Sequence, residues 1–488
     1  MNNYLDSIVN ELKDFPQSNS EILNLIQSRK NVYNHFKREF IKNINTIENE
    51  DLIAFALLIA AKNTDFELHQ ILSEHFDFNN INNPLAIFAK GIHGSKSGQN
   101  FAAFNLLYHS YKTQPLYFNF LDFALLLYLA KELNLQTERK IILDDLIQKF
   151  PANIDLRLQQ IDYFIDNNLF DDSKEFKQQI NYLFNNITAS AHWSNLAGIC
   201  FNTGDIDNFF KCNEKAYTAE DFPSYNYVFI SNDKGKFPAT DCLEFMNYLL
   251  DFLNANNIQA FPCSGSLLGL YRDGKLMDYD KDTDTGIIVN NNDEILNIIK
   301  ILSANKILIC SQINELNFNK KILNISVSHK KNGSIVDIFF FHKNYYDYDK
   351  SHPKYNYLYT GINTIVASLV EEFKPFKIIK KNLAGHIYNV PENIEEWLLQ
   401  EYGKDWNKHI SVWDSLINDP NITEESKLAV FYFGSIRMHE AFRQKKYAKA
   451  LNYYTQLKNR WQYPFTPQMC EIIETCLEKI KPQTKLNN

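Results

Sequence analysis

Apolar residues recur at three-four spacing through the first 225 positions, as in Leu156, Ile161, Phe164 and Ile165, within a stretch poor in Gly and Pro. That period predicts amphipathic helices. The most apolar runs, Leu52 to Ala61 and Phe123 to Ala130, fall well short of the roughly 20 residues needed to cross a bilayer, and are predicted as buried helices. The pattern then changes. Asp241 to Asn254, with Leu243, Met246, Leu249, Leu250 and Leu253, predicts one more amphipathic helix, and Ile258 to Cys263 a short strand. A helix opened by Gly-Ser follows, then a strand from Asp284 to Val289, a helix from Asp293 to Ser303 and a strand from Lys306 to Ile309. Leu323 to His329 and Ser334 to Phe341 read as two strands around a Lys330-Lys331-Asn332-Gly333 turn.

These changes predict a multidomain chain: an α-helical region over 1–225, a mixed α+β module over 236–410 and a second helical region over 411–488. In the first region Trp193, Leu196, Ala197, Gly204-Asp205 and Ala216 place small residues and a helix-breaking Gly roughly where a tetratricopeptide repeat has them, with Phe209 where a small residue is usual. Met438 to Leu457, with Ala441, Phe442, Tyr447, Ala450, Leu451 and Tyr454, repeats the pattern near the C terminus. Degenerate helix-turn-helix repeats are therefore expected at both ends, although a helical bundle with Ala at its close contacts would show the same signature.

Composition narrows the classes. A chain of 488 residues, 45% hydrophobic and 22% charged, is a folded protein too long for one ordinary domain. Its formal net charge of −8 argues against a broad basic surface for nucleic acid. Met1 to Asp6 lack the basic start and apolar core of a secretory signal, so a cytoplasmic location is expected, with association at the inner face of a membrane left open. The seven cysteines form no Cys-x-x-Cys pair, which fits reduced thiols rather than a zinc knuckle or a disulfide framework.

The chemistry concentrates in Cys263-Ser264-Gly265-Ser266-Leu267-Leu268-Gly269-Leu270-Tyr271-Arg272-Asp273-Gly274 and in Asp280-Lys281-Asp282-Thr283-Asp284 just after it. In an extended segment Asp280, Asp282 and Asp284 project from one face, and three carboxylates cannot share a small volume unless a cation neutralises them or some take up protons. Gly265 and Ser266 allow backbone N–H groups to approach a phosphate. Asp337 is a lone carboxylate in the apolar run Ser334 to Phe341, a costly placement unless it is paired or metal-bound. Metal plus phosphate cradle is the chemistry of a nucleotide substrate.

These motifs, with Val336-Asp337-Ile338-Phe339, closely resemble the LicD family, whose relatives include fukutin and fukutin-related protein. Leu383 to Pro391, Trp397-Leu398 and Glu401-Tyr402-Gly403-Lys404-Asp405-Trp406 are similar to that family's closing region, so the resemblance covers about residues 240 to 408. It departs at Asp278-Tyr279 and Lys281, where family members commonly have Pro-Trp before an acidic run. The resemblance implies a nucleotidyltransferase-like fold of the DNA polymerase beta type. It also implies transfer of a substituted phosphate, such as phosphocholine, ribitol phosphate or glycerol phosphate, from a CDP-activated donor to a hydroxyl of a cell-surface glycan.

In that reading Asp282 and Asp284 bind Mg²⁺ or Mn²⁺, and Asp337 completes the site or acts as general base. Gly265 and Ser266 bind donor phosphate, Arg272 neutralises the pyrophosphate, and Asp280 is an outer ligand or an acceptor behind the first ones. Arg272 has a duller alternative as an ion-pair partner of Asp273 or Asp278. Tyr402 and Trp406 are expected as core aromatics, and His342 and His352 as structural. The helical flanks would hold the acceptor, a protein partner or the membrane periphery. Two other functions compete: a nucleotide-sugar glycosyltransferase using Asp-x-Asp, and a non-catalytic repeat scaffold with a decayed transferase domain.

Overall fold

The computed structural model describes residues 30–478, apart from 64, 77–82, 97–98, 116–117, 119, 171–172, 224–238, 278–282, 311–320, 330–333, 344, 347 and 365. The chain divides into two compact units, Met1–Tyr163 and Phe164–Asn488.

The first unit is built from helices, among them Lys30–Asn43, Glu50–Lys62, Pro84–Lys96, Asn100–Thr113, Phe120–Glu132 and Gln136–Lys149. Asn49 caps the second by accepting from the Leu52 N–H at 2.9 Å, which satisfies a donor the helix cannot. Every residue from Leu52 to Ala61 is buried, so this helix is packed on all sides, as its unbroken apolar run predicts. Its terminal Lys62 meets Asp122 at 2.9 Å, both side chains buried. Among the described residues no helix is long and apolar enough to cross a membrane.

The second unit combines a helical layer with a sheet. Helices Ser190–Asn202 and Ile206–Thr218 turn at Gly204-Asp205, where the Asp205 side chain accepts from the Asn208 N–H. Helices Lys427–Arg443 and Tyr447–Thr455 form a second pair. The two pairs, some 200 residues apart in sequence, pack on each other. The Phe201 and Tyr432 rings stack at 4.1 Å, the Tyr217 hydroxyl donates to the Ser435 carbonyl at 2.8 Å, and Ser190 Oγ lies 2.9 Å from His439 Nε2. Phe209 fills this layer from a fully buried position against Phe201. Helical repeats therefore fit the helical regions, with an aromatic contact where small residues are more usual.

Between these pairs in sequence lie nine described strands: β1 (Ala260–Pro262), β2 (Thr283–Val289), β3 (Leu308–Cys310), β4 (Asn324–His329), β5 (Ile335–His342), β6 (Leu358–Asn363), β7 (Ser368–Phe373), β8 (Ile378–Leu383) and β9 (His386–Pro391). Seven form one mixed sheet in the order β1-β2-β5-β4-β3, with β6 joining β5 to β7; β8 and β9 form a separate hairpin. Strands β2 and β5 are parallel, and Val336, Ile338 and Phe340, which alternate on one face of β5, are fully buried, while Asp337 on the opposite face is half-buried. Helix Ala239–Ala255 packs on β1, β2 and β5, and helix Asn292–Ala304 on β2 and β3. The strands predicted before residue 342 match within about two residues; β6 to β9 were not predicted. The Lys330 to Gly333 turn lies outside the described residues.

Candidate active site

Strand β1 leads into Cys263, which is extended, and then into a short helix, Ser264–Leu268, that continues as a wider turn over Gly269–Asp273. Ser264 starts the helix at φ +44°, a left-handed conformation that a side-chain-bearing residue adopts only when its surroundings hold it there. Gly269 is needed for close approach, because a Cβ there would sit 2.7 Å from the Lys275 carbonyl oxygen. Ser266 is 2% exposed, and its Oγ accepts from the Asp284 N–H at 2.8 Å. The Cys263 N–H in turn donates to the Asp284 carbonyl at 3.1 Å. Ser266 thus fastens the Gly-Ser turn to the strand that carries the carboxylates.

Asp284 on β2 pairs in register with Asp337 on β5. Side chains paired in register share one face of the pleat, so the two carboxylates stand side by side, both half-buried. Ser326 on β4 stands opposite Asp337 and donates its hydroxyl to Asp337 Oδ1. Two residues along β2 from Asp284, Gly286 keeps the sheet tight: a Cβ there would lie 2.6 Å from the Phe261 ring and 2.8 Å from the Phe341 ring. Adjacent carboxylates repel unless a cation or a proton lies between them, so this pair has the chemistry of a divalent-ion site short of ligands. Asp280 and Asp282, the other expected members, lie outside the described residues. Among the described residues no group of three His, Cys, Asp or Glu is arranged to hold a metal ion.

Arg272 makes the Asp273 ion pair that the sequence offered as its alternative. Its Nε and Nη2 donate to the two carboxylate oxygens of Asp273 at 2.9 and 2.8 Å, and Nη1 reaches the Trp406 carbonyl at 3.4 Å. This guanidinium keeps the Asp273 carboxyl below the usual carboxylate range. Here Arg272 stitches the turn after the cradle to the segment around Trp406. Tyr402 and Trp406 pack against the core of the sheet module, and Trp406 lies 6.0 Å from the Tyr271 ring. His342 is fully buried with Nε2 2.7 Å from the Ile322 carbonyl, and burial lowers its pKa to about 4. His352 stacks on Tyr348 at 3.9 Å.

A second group of carboxylates lies behind the Gly-Ser turn, and no local pattern in the chain distinguishes it. Glu401 is 2% exposed and accepts from Trp397 Nε1 at 2.9 Å. Burial pushes its pKa up to about 7, against the lowering effect of the polar Ser264, Trp397 and Tyr402 side chains. Glu371 on β7 is pushed up to about 8, by burial first and then by Glu401. Asp419 is fully buried and raised well above its ordinary value by burial, then by Glu371 and Glu401. Its Oδ1 accepts from the Asn421 N–H at 2.7 Å, while Oδ2 has no partner among the described residues. Burial also raises the Cys263 thiol well above its ordinary value, which makes it a packed neutral group rather than a nucleophile.

Residues 257–393 match the family model described as LicD/FKTN/FKRP, nucleotidyltransferase domain. This segment holds the Gly-Ser turn, both described carboxylates of β2 and β5 and the β8–β9 hairpin. It ends before Trp397, Glu401 and Trp406. The match supports a transferase of the phosphotransfer kind in general. No curated protein matches the chain.

Proposed function

We propose that the second unit is a metal-dependent transferase. It moves a substituted phosphate from a CDP-activated donor to a hydroxyl of a cell-surface glycan, on a catalytic domain of the DNA polymerase beta type. The observation that carries this reading is the in-register pairing of Asp284 with Asp337, next to a Gly-Ser turn tied to the same strand. Asp282 and Asp284 would hold Mg²⁺ or Mn²⁺, with Asp337 completing that set or taking the acceptor's proton, and Asp280 behind them. The ion, when bound, would neutralise phosphate charge and lower the pKa of the attacking hydroxyl.

The chain's own groups account for the remainder. Ser326, donating to one oxygen of Asp337, fixes the carboxylate's orientation. Gly265 and the N–H groups around it receive donor phosphate. The acceptor oxygen bonds to the phosphorus bearing the alcohol, the bond from that phosphorus to the CMP oxygen breaks with its electron pair, and the hydroxyl proton passes to a carboxylate. No covalent enzyme intermediate is needed. The helical flanks would offer surfaces for acceptor, partner or membrane periphery, at a cytoplasmic site.

The test is to incubate the purified chain with CDP-alcohols, UDP-sugars and nucleoside triphosphates, with Mg²⁺ or Mn²⁺ and candidate glycan acceptors. CMP release from a CDP-alcohol, abolished by Asp284→Asn with the fold retained, supports the proposal. UDP release from a UDP-sugar instead would turn the reading to a glycosyltransferase. Silence across the panel together with no metal binding would leave a scaffold.

A further inference from the structure

We propose that the β8–β9 hairpin is a membrane-docking element: its lysines meet the headgroups of an anionic bilayer, its apolar tip enters the interface, and the cradle is held beside a lipid-borne acceptor. The chain as a whole has a formal net charge of −8, but between Phe373 and Pro391 it carries four lysines and no acid. Lys374, at the entry to the hairpin, lies 3.7 Å from Glu396. Lys377, Lys380 and Lys381 are all exposed, and among the described residues no carboxylate stands within ion-pair distance of them. Two acids bordering the hairpin face other groups. Glu395 accepts from the Tyr271 hydroxyl at 3.0 Å, and Asp251 faces His386 at 3.5 Å. A local positive patch thus stands on an acidic chain, and an anionic surface is its electrostatic complement.

Register decides which side of the hairpin is open. Leu383, Tyr388 and Val390 lie on one face and are buried against the sheet module. Lys380, Asn382 and Ile387 fall on the other face, and all three are exposed. Ile387 is 64% exposed, more than any other large apolar side chain among the described residues. The turn is Ala384-Gly385 at φ +52° and +85°, a conformation that Asn-Gly adopts with less strain and a polar tip. An exposed Ala384 in its place leaves the tip apolar at a cost to the backbone. A lone exposed isoleucine is ordinary, but an apolar tip beside lysines without acidic partners suits a lipid interface, where the lysine stems lie along apolar groups and the ammonium ends reach phosphate. The hairpin also adjoins the cradle. Asn389 donates to the Ala260 carbonyl at 3.3 Å on β1, and Lys381 Nζ lies 5.1 Å above the Tyr271 ring in the turn that follows the Gly-Ser helix.

Only the lipid-borne acceptor rests on the transferase reading, so the first measurement is made without activity. The full chain is sedimented with vesicles of phosphatidylcholine alone or with about one third phosphatidylglycerol, at low and at raised salt. Binding is expected to the anionic vesicles and to weaken as salt rises. Each lysine near such a surface contributes roughly fivefold in partition, so Lys380→Gln with Lys381→Gln should lower it by about 25-fold. Ile387→Ser should lower it by several-fold, up to about tenfold. The same charge change at the exposed Lys445 and Lys446, far from the hairpin in sequence, should alter it by no more than about threefold. No binding to anionic vesicles overturns the proposal and leaves the lysines as guards of an open strand edge. Equal binding to neutral vesicles, an equal loss in the Lys445→Gln, Lys446→Gln control, or indifference to Ile387→Ser overturns it as well. CMP release is then measured with the acceptor in vesicles and in free solution: Lys380→Gln should slow only the vesicle reaction. A wild type silent toward every donor sinks the transferase reading and leaves the vesicle result standing.

Discussion

Two groups of carboxylates lie within one sheet module, and they are built in opposite ways. Asp284 and Asp337 stand in register on parallel strands, half-buried, with the Ser326 hydroxyl donating to one of them. Glu371, Glu401 and Asp419 come from a strand, a helix and a loop, the last two buried and Glu371 half-buried, and carry raised pKa values. The first arrangement keeps negative charge where a cation can reach it. The second suppresses charge chiefly by burial, with the Trp397 indole and the Asn421 N–H as donors to Glu401 and Asp419. Acidic residues alone therefore do not identify a site; solvent access and the supply of donors decide whether a cluster recruits an ion or retains protons.

The largest test of this contrast is removal of one open carboxylate. Asp284→Asn and Asp337→Asn are each expected to lower CMP release by at least roughly 100-fold, with the melting temperature nearly unchanged or raised as repulsion is relieved. A variant that melts much earlier would show the pair to be structural instead. Next in size is a steric change beside it: Gly286→Ala should cost about 1–3 kcal/mol of stability, measured by denaturant unfolding, because Phe261 and Phe341 must both move.

The sealed group predicts a pH dependence of defined sign. A carboxyl whose folded pKa lies above its unfolded value binds more protons in the folded state, so it supports the fold at low pH. That support is lost as pH rises through the folded pKa. For Glu371 the window runs from its ordinary value of 4.5 to about 8. The melting temperature should therefore fall between pH 5 and pH 9, and Glu371→Gln should flatten the fall; a rise over that range would contradict the protonated state. The smallest effect is expected from Ser326→Ala. It removes one donor to Asp337 and should reduce turnover severalfold while stability changes by about 1 kcal/mol or less.

How much of this could be read from the chain depended on whether a signal was local. The apolar run around Asp337 and the β2 strand are visible because a single carboxylate interrupts a strand otherwise suited to burial, and the observed β2, β4 and β5 follow those runs closely. Strand β8 escaped notice because Lys380, Lys381 and Asn382 leave it exposed and without alternation. Glu371, Glu401 and Asp419 escaped for a deeper reason. Each is an ordinary acid in its own stretch, and the three that act on one another lie 18 to 48 residues apart. Only the similarity of Glu401-Tyr402-Gly403 to a family's closing region marked that place, without saying what the glutamate does.

The packing of helices 190–218 on helices 427–455 bears on how the molecule comes into being. As the chain leaves the ribosome, Phe201, Tyr217 and Ser190 emerge more than 200 residues ahead of Tyr432, Ser435 and His439, the groups that cover them. During that interval the sheet module is synthesised while an apolar helical face waits for its other half. Closing so long a loop is slow, and an uncovered face of this kind invites wrong partners in the meantime. Birth order thus makes the last helices the step that completes the second unit, and a nascent chain halted before residue 427 should be the form that most engages chaperones.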